Sequence, residues 1–136
     1  MAKKILVVDD NVDMVDLLKS ILEMEGYDVI EAFDGQEALD KSKQQQPDFI
    51  LLDIMMPIMD GWETCRRLKG CRKTSQIPVT ILTARVNPED REKASRLGAD
   101  DYLTKPFDPD ELLNRIKKVV VKKDSNGKNL LSVMFL

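Results

Sequence analysis

The sequence predicts an α/β fold: a doubly wound (βα)5 three-layer sandwich, with helices on both faces of one parallel sheet. Three observations carry this prediction. Short β-rich apolar runs recur along the 136 residues, each too short for a buried helix. Between them lie segments whose apolar residues recur at helical spacing. Cap residues and glycines stand where those helices should begin and end. Strict alternation of the two element types points to a parallel sheet covered on both sides.

The first strand is read at 5–8. The helix after it begins near Val12, carries Val15, Leu18, Ile21 and Leu22 on one face, and stops at Gly26. Strands follow at 27–32 and 49–52, with a helical segment between them. Trp62 falls in the third helix, where it is expected packed or half-exposed. The fourth strand, 79–82, leads to Asn87 and Pro88, a cap with proline at the first helical position, and Gly98 closes that helix. The fifth strand is read at 102–103. Asp108, Pro109 and Glu111 have capping-box spacing and start the last helix, whose buried face is Leu112, Leu113, Ile116, Val119 and Val120. These elements form one domain over 1–121. The tail 122–136 differs: 124–128 has the composition of a turn or linker remnant, and 130–136 is an apolar end that either packs back or meets a partner.

Composition narrows the chemistry. A net charge of −3 gives no general pull toward nucleic acid or anionic membrane. No apolar run approaches the roughly 20 residues of a transmembrane helix, and "MAKKILVVDD" is too short for a signal peptide, so a cytoplasmic location is expected. The two cysteines, Cys65 and Cys71, are expected reduced and structural. There is no histidine. That excludes a Ser-His-Asp triad, a Cys-His pair and histidine-ligated zinc. Carboxylates, hydroxyls, lysine and backbone must do whatever chemistry exists.

The stretch "DFILLDIMMPIMDG" ends an apolar strand on a carboxylate, Asp53. Burying an unpaired carboxylate is costly, so the placement calls for a function. In an open parallel sheet, ligands bind beyond the carboxyl ends of the strands where the strand order reverses. Asp9 and Asp10 follow the first strand, and Asp53 follows the third. In the flavodoxin-like order 2-1-3-4-5 those strands are neighbours at the switch point, so three carboxylates share one pocket. Like charges repel unless a cation joins them, and an all-oxygen set suits Mg²⁺. A helix cap accounts for Asp9 or Asp10 singly, but not for the pair together with Asp53. Thr83 ends the fourth strand and Lys105, before Pro106, ends the fifth. A hydroxyl, an ammonium, a metal and a carboxylate are what a phosphoryl group needs, and carboxylates form aspartyl-phosphates.

With "ILVVDD", "ILLDIMMPIMDG", "VTILTA" and "GADDYLTKPF" in this order, the chain resembles, over about 3–121, the receiver domain of two-component response regulators. The resemblance implies roles position by position. Asp53 is the phosphoacceptor. Asp9 and Asp10 hold Mg²⁺, Asp10 more directly, and the Met55 backbone carbonyl is the remaining protein ligand. Lys105 pairs with a phosphoryl oxygen, and the Lys105–Pro106 peptide is cis. Thr83 is the switch hydroxyl, Ala84 leaves room for it, and Tyr102 is the aromatic switch. The donor is the phosphohistidine of a sensor histidine kinase or histidine phosphotransfer protein. The output is a shift of the surface made by the fourth helix, fifth strand and fifth helix, which controls an unidentified partner without direct nucleic-acid or membrane binding.

Some receivers of this kind dimerise on phosphorylation through that surface, and Asp100, Asp101, Glu111 and Arg115, with Arg91 or Arg96, are suited to intermolecular pairs. Met55 and Arg85 are expected to flank the route of a hydrolytic water. Rival readings fit the residues less well. A phosphohydrolase would want a second acid or base near the nucleophile, but Ile54 and Met55 follow Asp53. An interaction module indifferent to phosphate would be expected to lack one of the motif residues, and none is missing. The chain is therefore expected to be a signalling phosphoacceptor rather than an enzyme.

Overall fold

A computed structural model describes residues 2–85 and 87–124, the last four by backbone alone. The elements alternate as expected: β1 (Lys4–Val8), α1 (Val12–Met24), β2 (Asp28–Ala32), α2 (Gly35–Gln45), β3 (Phe49–Leu52), α3 (Gly61–Gly70), β4 (Val79–Thr83), α4 (Pro88–Arg96), β5 (Asp101–Thr104) and α5 (Pro109–Asp124). All strand pairs are parallel and the sheet order is β2-β1-β3-β4-β5.

Side-chain alternation along the strands builds two cores. Leu6, Val8, Ile50, Leu52, Val79, Ile81 and Tyr102 face one way and meet Ala38, Leu39, Trp62, Cys65, Leu68 and Ala94 of α2, α3 and α4. Ile5, Val7, Phe49, Leu51, Leu82 and Leu103 face the other way and meet Val15, Leu18 and Leu22 of α1 and Leu112, Leu113, Ile116 and Val120 of α5. Strands buried on both faces explain the unbroken apolar runs in β1 and β3. Each such leucine or isoleucine contributes about 1.5–3 kcal/mol of burial. Trp62 is packed, with the Lys93 ammonium 4.8 Å from its ring centroid.

Helix ends follow local chemistry. Asn11, Asp34, Asp60 and Asn87 cap α1, α2, α3 and α4 through their side-chain oxygens. Gly26 and Gly98 have φ of 90° and 93°. Each closes its helix by the paired bonds of a Schellman motif: Gly26 N–H to Glu23 and Tyr27 N–H to Leu22, then Gly98 N–H to Ser95 and Ala99 N–H to Ala94. This corrects one boundary. The second strand begins at Asp28, not Tyr27, because the Tyr27 N–H closes α1.

The last strand is longer than predicted, because Asp101 and Thr104 pair with Thr80 and Thr83. The capping box expected at the last helix is also corrected. Asp108 accepts the Asp110 N–H at 2.9 Å, while Glu111 pairs with Arg115 instead of reaching back. α5 runs to Asp124, past the position where the tail was expected to begin, and 125–136 lie outside the described residues.

The start of α3 sits hard against the end of β3. A Cβ added at Gly61 would overlap Ile54 Cα and the Asp53 carbonyl oxygen, whereas one added at Gly70 meets nothing. Gly61→Ala should therefore lower stability by about 2–3 kcal/mol, and Gly70→Ala should raise it by about 0.5–1 kcal/mol. Urea denaturation of the two variants beside the wild type checks the pair. Equal stabilities would contradict the close approach at Gly61.

Candidate functional site

The site forms where β1 and β3 end side by side. Backbone bonds from the Asp9 N–H to Ala32 and from the Asp53 N–H to Val8 fix both chain exits. Asp9 is 2% exposed and Asp53 7%, while Asp10 stands in solvent at the mouth. The three carboxylates bring ligand oxygens within 4.8 Å of one another. Among them comes Lys105 from the end of β5, its Nζ 2.8 Å from Asp9 Oδ2 and 3.4 Å from Asp53 Oδ2. The Lys105–Pro106 peptide is cis, and the Lys105 N–H donates to the Thr83 carbonyl at 2.7 Å. Asp9, Asp10, Asp53 and Lys105 are thus brought together from three strand ends.

Two features escaped the sequence reading. The Met55 N–H donates to Asp53 Oδ1 at 3.1 Å, so this residue orients the carboxylate as well as offering a carbonyl. Asn11 is the cap of α1, accepting the Met14 N–H, and its own N–H donates to Asp9 Oδ1 at 3.0 Å. An asparagine directly before the first helical residue was the available signal. With Asn11 in that role, Asp9 and Asp10 are spared from capping.

Burial is the largest influence on the Asp53 carboxyl and pushes its pKa above the ordinary 3.8. The Met55 N–H and the Lys105 ammonium oppose this, and the Asp9 charge adds to it. One ammonium offsets only one of three clustered negative charges. The donors are oxygens alone, so the set fits a hard divalent cation such as Mg²⁺ and does not suit zinc or copper.

Thr83 is fully buried, and its Oγ1 accepts the Arg85 N–H at 3.4 Å. Tyr102 is 4% exposed, and its hydroxyl donates to the Arg85 carbonyl at 2.7 Å. The Arg91 guanidinium covers the ring at 5.0 Å from the centroid. Arg85 Nε lies 2.9 Å from Asp90 Oδ2, near enough for an ion pair although not aligned as a hydrogen bond. Both switch candidates therefore meet at the loop leaving β4. Met55 and Arg85, expected to flank the route of a hydrolytic water, have exposed side chains, at 56% for Met55.

Of the charges expected to reach another molecule, Asp100, Asp101, Glu111 and Arg115 have partners within the chain. Asp101 pairs with Arg115 at 2.9 Å and Glu111 with Arg115 at 3.5 Å. Asp100 Oδ2 takes both Lys69 Nζ at 3.1 Å and the Val79 N–H at 2.8 Å, so Asp100 helps hold the fold. Cys65 and Cys71 are free thiols.

Residues 5–117 match the model of the response regulator receiver domain. The alkaline phosphatase synthesis transcriptional regulatory protein PhoP of Bacillus subtilis is 46% identical over 124 residues, 91% of this chain and 51% of that protein. The chain spans about half the length of the curated relatives it matches. Among solved structures, a CheY-like response regulator receiver domain protein from Methanospirillum hungatei superposes with a TM-score of 0.87 at 32% identity, covering 93% of this chain and 99% of that one. The receiver domain of the sensor histidine kinase PA1611 from Pseudomonas aeruginosa, with a magnesium ion coordinated in its active-site cleft, superposes with a TM-score of 0.81 at 31% identity, covering 88% and 98% of the two chains.

The raised pKa of Asp53 has a definite sign for stability. Its ionised form is disfavoured in the fold, so at neutral pH the charge costs stability. That cost is relieved as pH falls through the raised folded pKa and is gone near the ordinary value of 3.8. In metal-free buffer, Asp53→Asn should be more stable than wild type at pH 7, with the gain shrinking toward pH 4. Urea denaturation across that range measures it. A variant less stable than wild type at pH 7 would contradict the assignment.

Proposed function

The chain belongs to the response regulator receiver domain family, and from that premise we propose that it is a phosphorylation switch with Asp53 as phosphoacceptor. The observation that carries the proposal is the placing of a buried carboxylate at a strand end, with Oδ1 held by the Met55 N–H and Oδ2 facing Lys105. An oxygen of Asp53 attacks the phosphorus of a phosphohistidine on a sensor histidine kinase or histidine phosphotransfer protein. The new P–O bond forms as the P–N bond breaks, and the imidazole leaves with the electron pair. Lys105 then pairs with a phosphoryl oxygen, and the Thr83 hydroxyl turns to donate to another.

Asp9, Asp10, Asp53 and the Met55 carbonyl would hold Mg²⁺. When bound, it offsets negative charge in phosphoryl transfer. Before transfer, the Lys105 ammonium keeps Asp9 and Asp53 from repelling one another. The Met55 N–H keeps one Asp53 oxygen occupied, which leaves the other to react. The group gained adds about −1.5 to −2 of charge. Thr83 and Lys105 follow that charge, and the Tyr102 side chain, buried against the Arg85 carbonyl, registers the movement of Thr83 on the face of α4, β5 and α5.

That face controls a partner, and a homodimer formed on phosphorylation would require Asp101, Glu111 and Arg115 to exchange their internal pairings. The receiver is assigned to 1–121, with 122–136 as a C-terminal tail whose first residues, to Asp124, continue α5. The domain itself neither binds nucleic acid nor acts as an enzyme on other substrates. A cytoplasmic location goes with this role; among the described residues no helix is long and apolar enough to cross a membrane.

Intact-mass analysis with Mg²⁺ and acetyl phosphate tests the proposal. The wild type should gain one phosphoryl mass, the gain should vanish with a chelator, and Asp53→Asn should gain none. A gain that persists in Asp53→Asn, or none in the wild type while a control receiver reacts, would overturn it.

A further inference from the structure

A second polar depression lies away from the acidic pocket, between α2 and the C-terminal half of α3. It is a groove of about 360 Å³ whose lining includes Leu39, Lys43, Arg66, Arg67, Gly70 and Cys71. Its sequence setting is unusual for a chain of net charge −3: residues 66–73, "RRLKGCRK", hold five cations and no acid. Lys69 is committed internally, to the Ile77 carbonyl and Asp100. Arg66 and Arg67 share one carboxylate, Glu63, whose pKa they pull down to about 2. Lys43 approaches from the neighbouring helix and stands exposed. Arg72 and Lys73 follow in the exposed turn after α3.

Cations near the last turn of a helix are favourable in themselves, because a helix C-terminus carries about half a negative charge. Two helix C-termini, Glu63 and Asp40, which accepts from the Gln36 amide of the lining, together do not balance Lys43, Arg66 and Arg67 of the groove with Arg72 and Lys73 of the adjoining turn. The surplus is positive, and three of the cations are guanidinium forks of a shape suited to paired oxygens, two of them, Arg66 and Arg67, already holding Glu63. Leu39 is buried and supplies an apolar wall, while Gly70 has open space where a side chain would stand. The volume is at the low end of small-molecule sites. A ligand of that size needs several negative charges to match the surplus, a demand that linked phosphates meet in least space.

We propose that the groove between α2 and α3 binds a small oligophosphate, inorganic or carried by a nucleoside. This goes beyond the phosphoacceptor reading and does not rest on it. The groove is at the far end of α3 from Gly61, about 15 Å along a helix of ten residues.

Cys71 makes the test direct, because its thiol lines the groove and is partly exposed. The Lys73 N–H lowers its pKa most, with the Thr74 hydroxyl and Lys43 assisting, whereas burial pushes Cys65 up to about 11. Alkylation of Cys71 by iodoacetamide would be followed by mass spectrometry on the full chain, metal-free, with tripolyphosphate or ATP and with sodium chloride at matched ionic strength. The ratio of rates with and without ligand is the readout. Saturable, several-fold protection by either oligophosphate, lost in the Lys43→Gln/Arg67→Gln double variant and kept in Asp53→Asn, is expected. Protection by ATP alone assigns the site to nucleotides, and equal protection by tripolyphosphate assigns it to the phosphate chain. No protection, protection matched by chloride, or protection unchanged in a double variant of native circular dichroism overturns the proposal.

Discussion

The structure turns on one electrostatic arrangement: two buried carboxylates at the ends of adjacent strands, held around one ammonium from a third. Both carboxylates are buried, where a charge without a partner is costly. Lys105 reaches both only because β5 lies on the same side of β3 as β4, and because the Lys105 N–H is tied to the Thr83 carbonyl. Strand order, the length of β5 and the loop before α5 all serve that convergence. With Asp10 at the mouth, the cluster leaves two charges uncompensated, which is why the pocket has both the chemistry and the electrostatic demand for a divalent cation.

Much of this was legible in the residues. Apolar runs ending on Asp9, Asp53, Thr83 and Lys105 marked strand ends, and a doubly wound sheet sends strand ends to one side. Asn87 before Pro88, and glycines at 26 and 98, marked helix boundaries through backbone chemistry that any chain must obey. Less legible were bonds that depend on exact approach. Tyr27 has the composition of a strand residue, yet its N–H is spent closing α1. Asp100 and Asp101 look alike in sequence, but one braces the Val79 N–H and the other faces Arg115. A main-chain donor such as Met55 N–H has no residue-type signature, so only geometry reveals it.

The region around Tyr102 shows how a site at one edge of the sheet is tied to its neighbour. Its hydroxyl binds the backbone of the loop that leaves Thr83, and its ring lies under a guanidinium of α4. Asp90, buried at the start of α4, draws in the side chain of Arg85 from the same loop. Displacement of that loop therefore cannot occur without disturbing the tyrosine or the first turn of α4. Two packed arrangements of such a unit, rather than gradual bending, are what a close-packed interior allows.

The sheet, apolar on both faces, also separates two bodies of packing. Among the described residues, no side chain from the layer of α1 and α5 shares a cluster with one from the layer of α2, α3 and α4. Substitutions on opposite sides should accordingly combine with little epistasis, since coupling falls away between residues without shared partners. A lineage could remodel one flank to recognise a new companion while the other flank kept its own, each drifting under separate selection. The layered architecture thereby makes the two sides of the molecule independently evolvable.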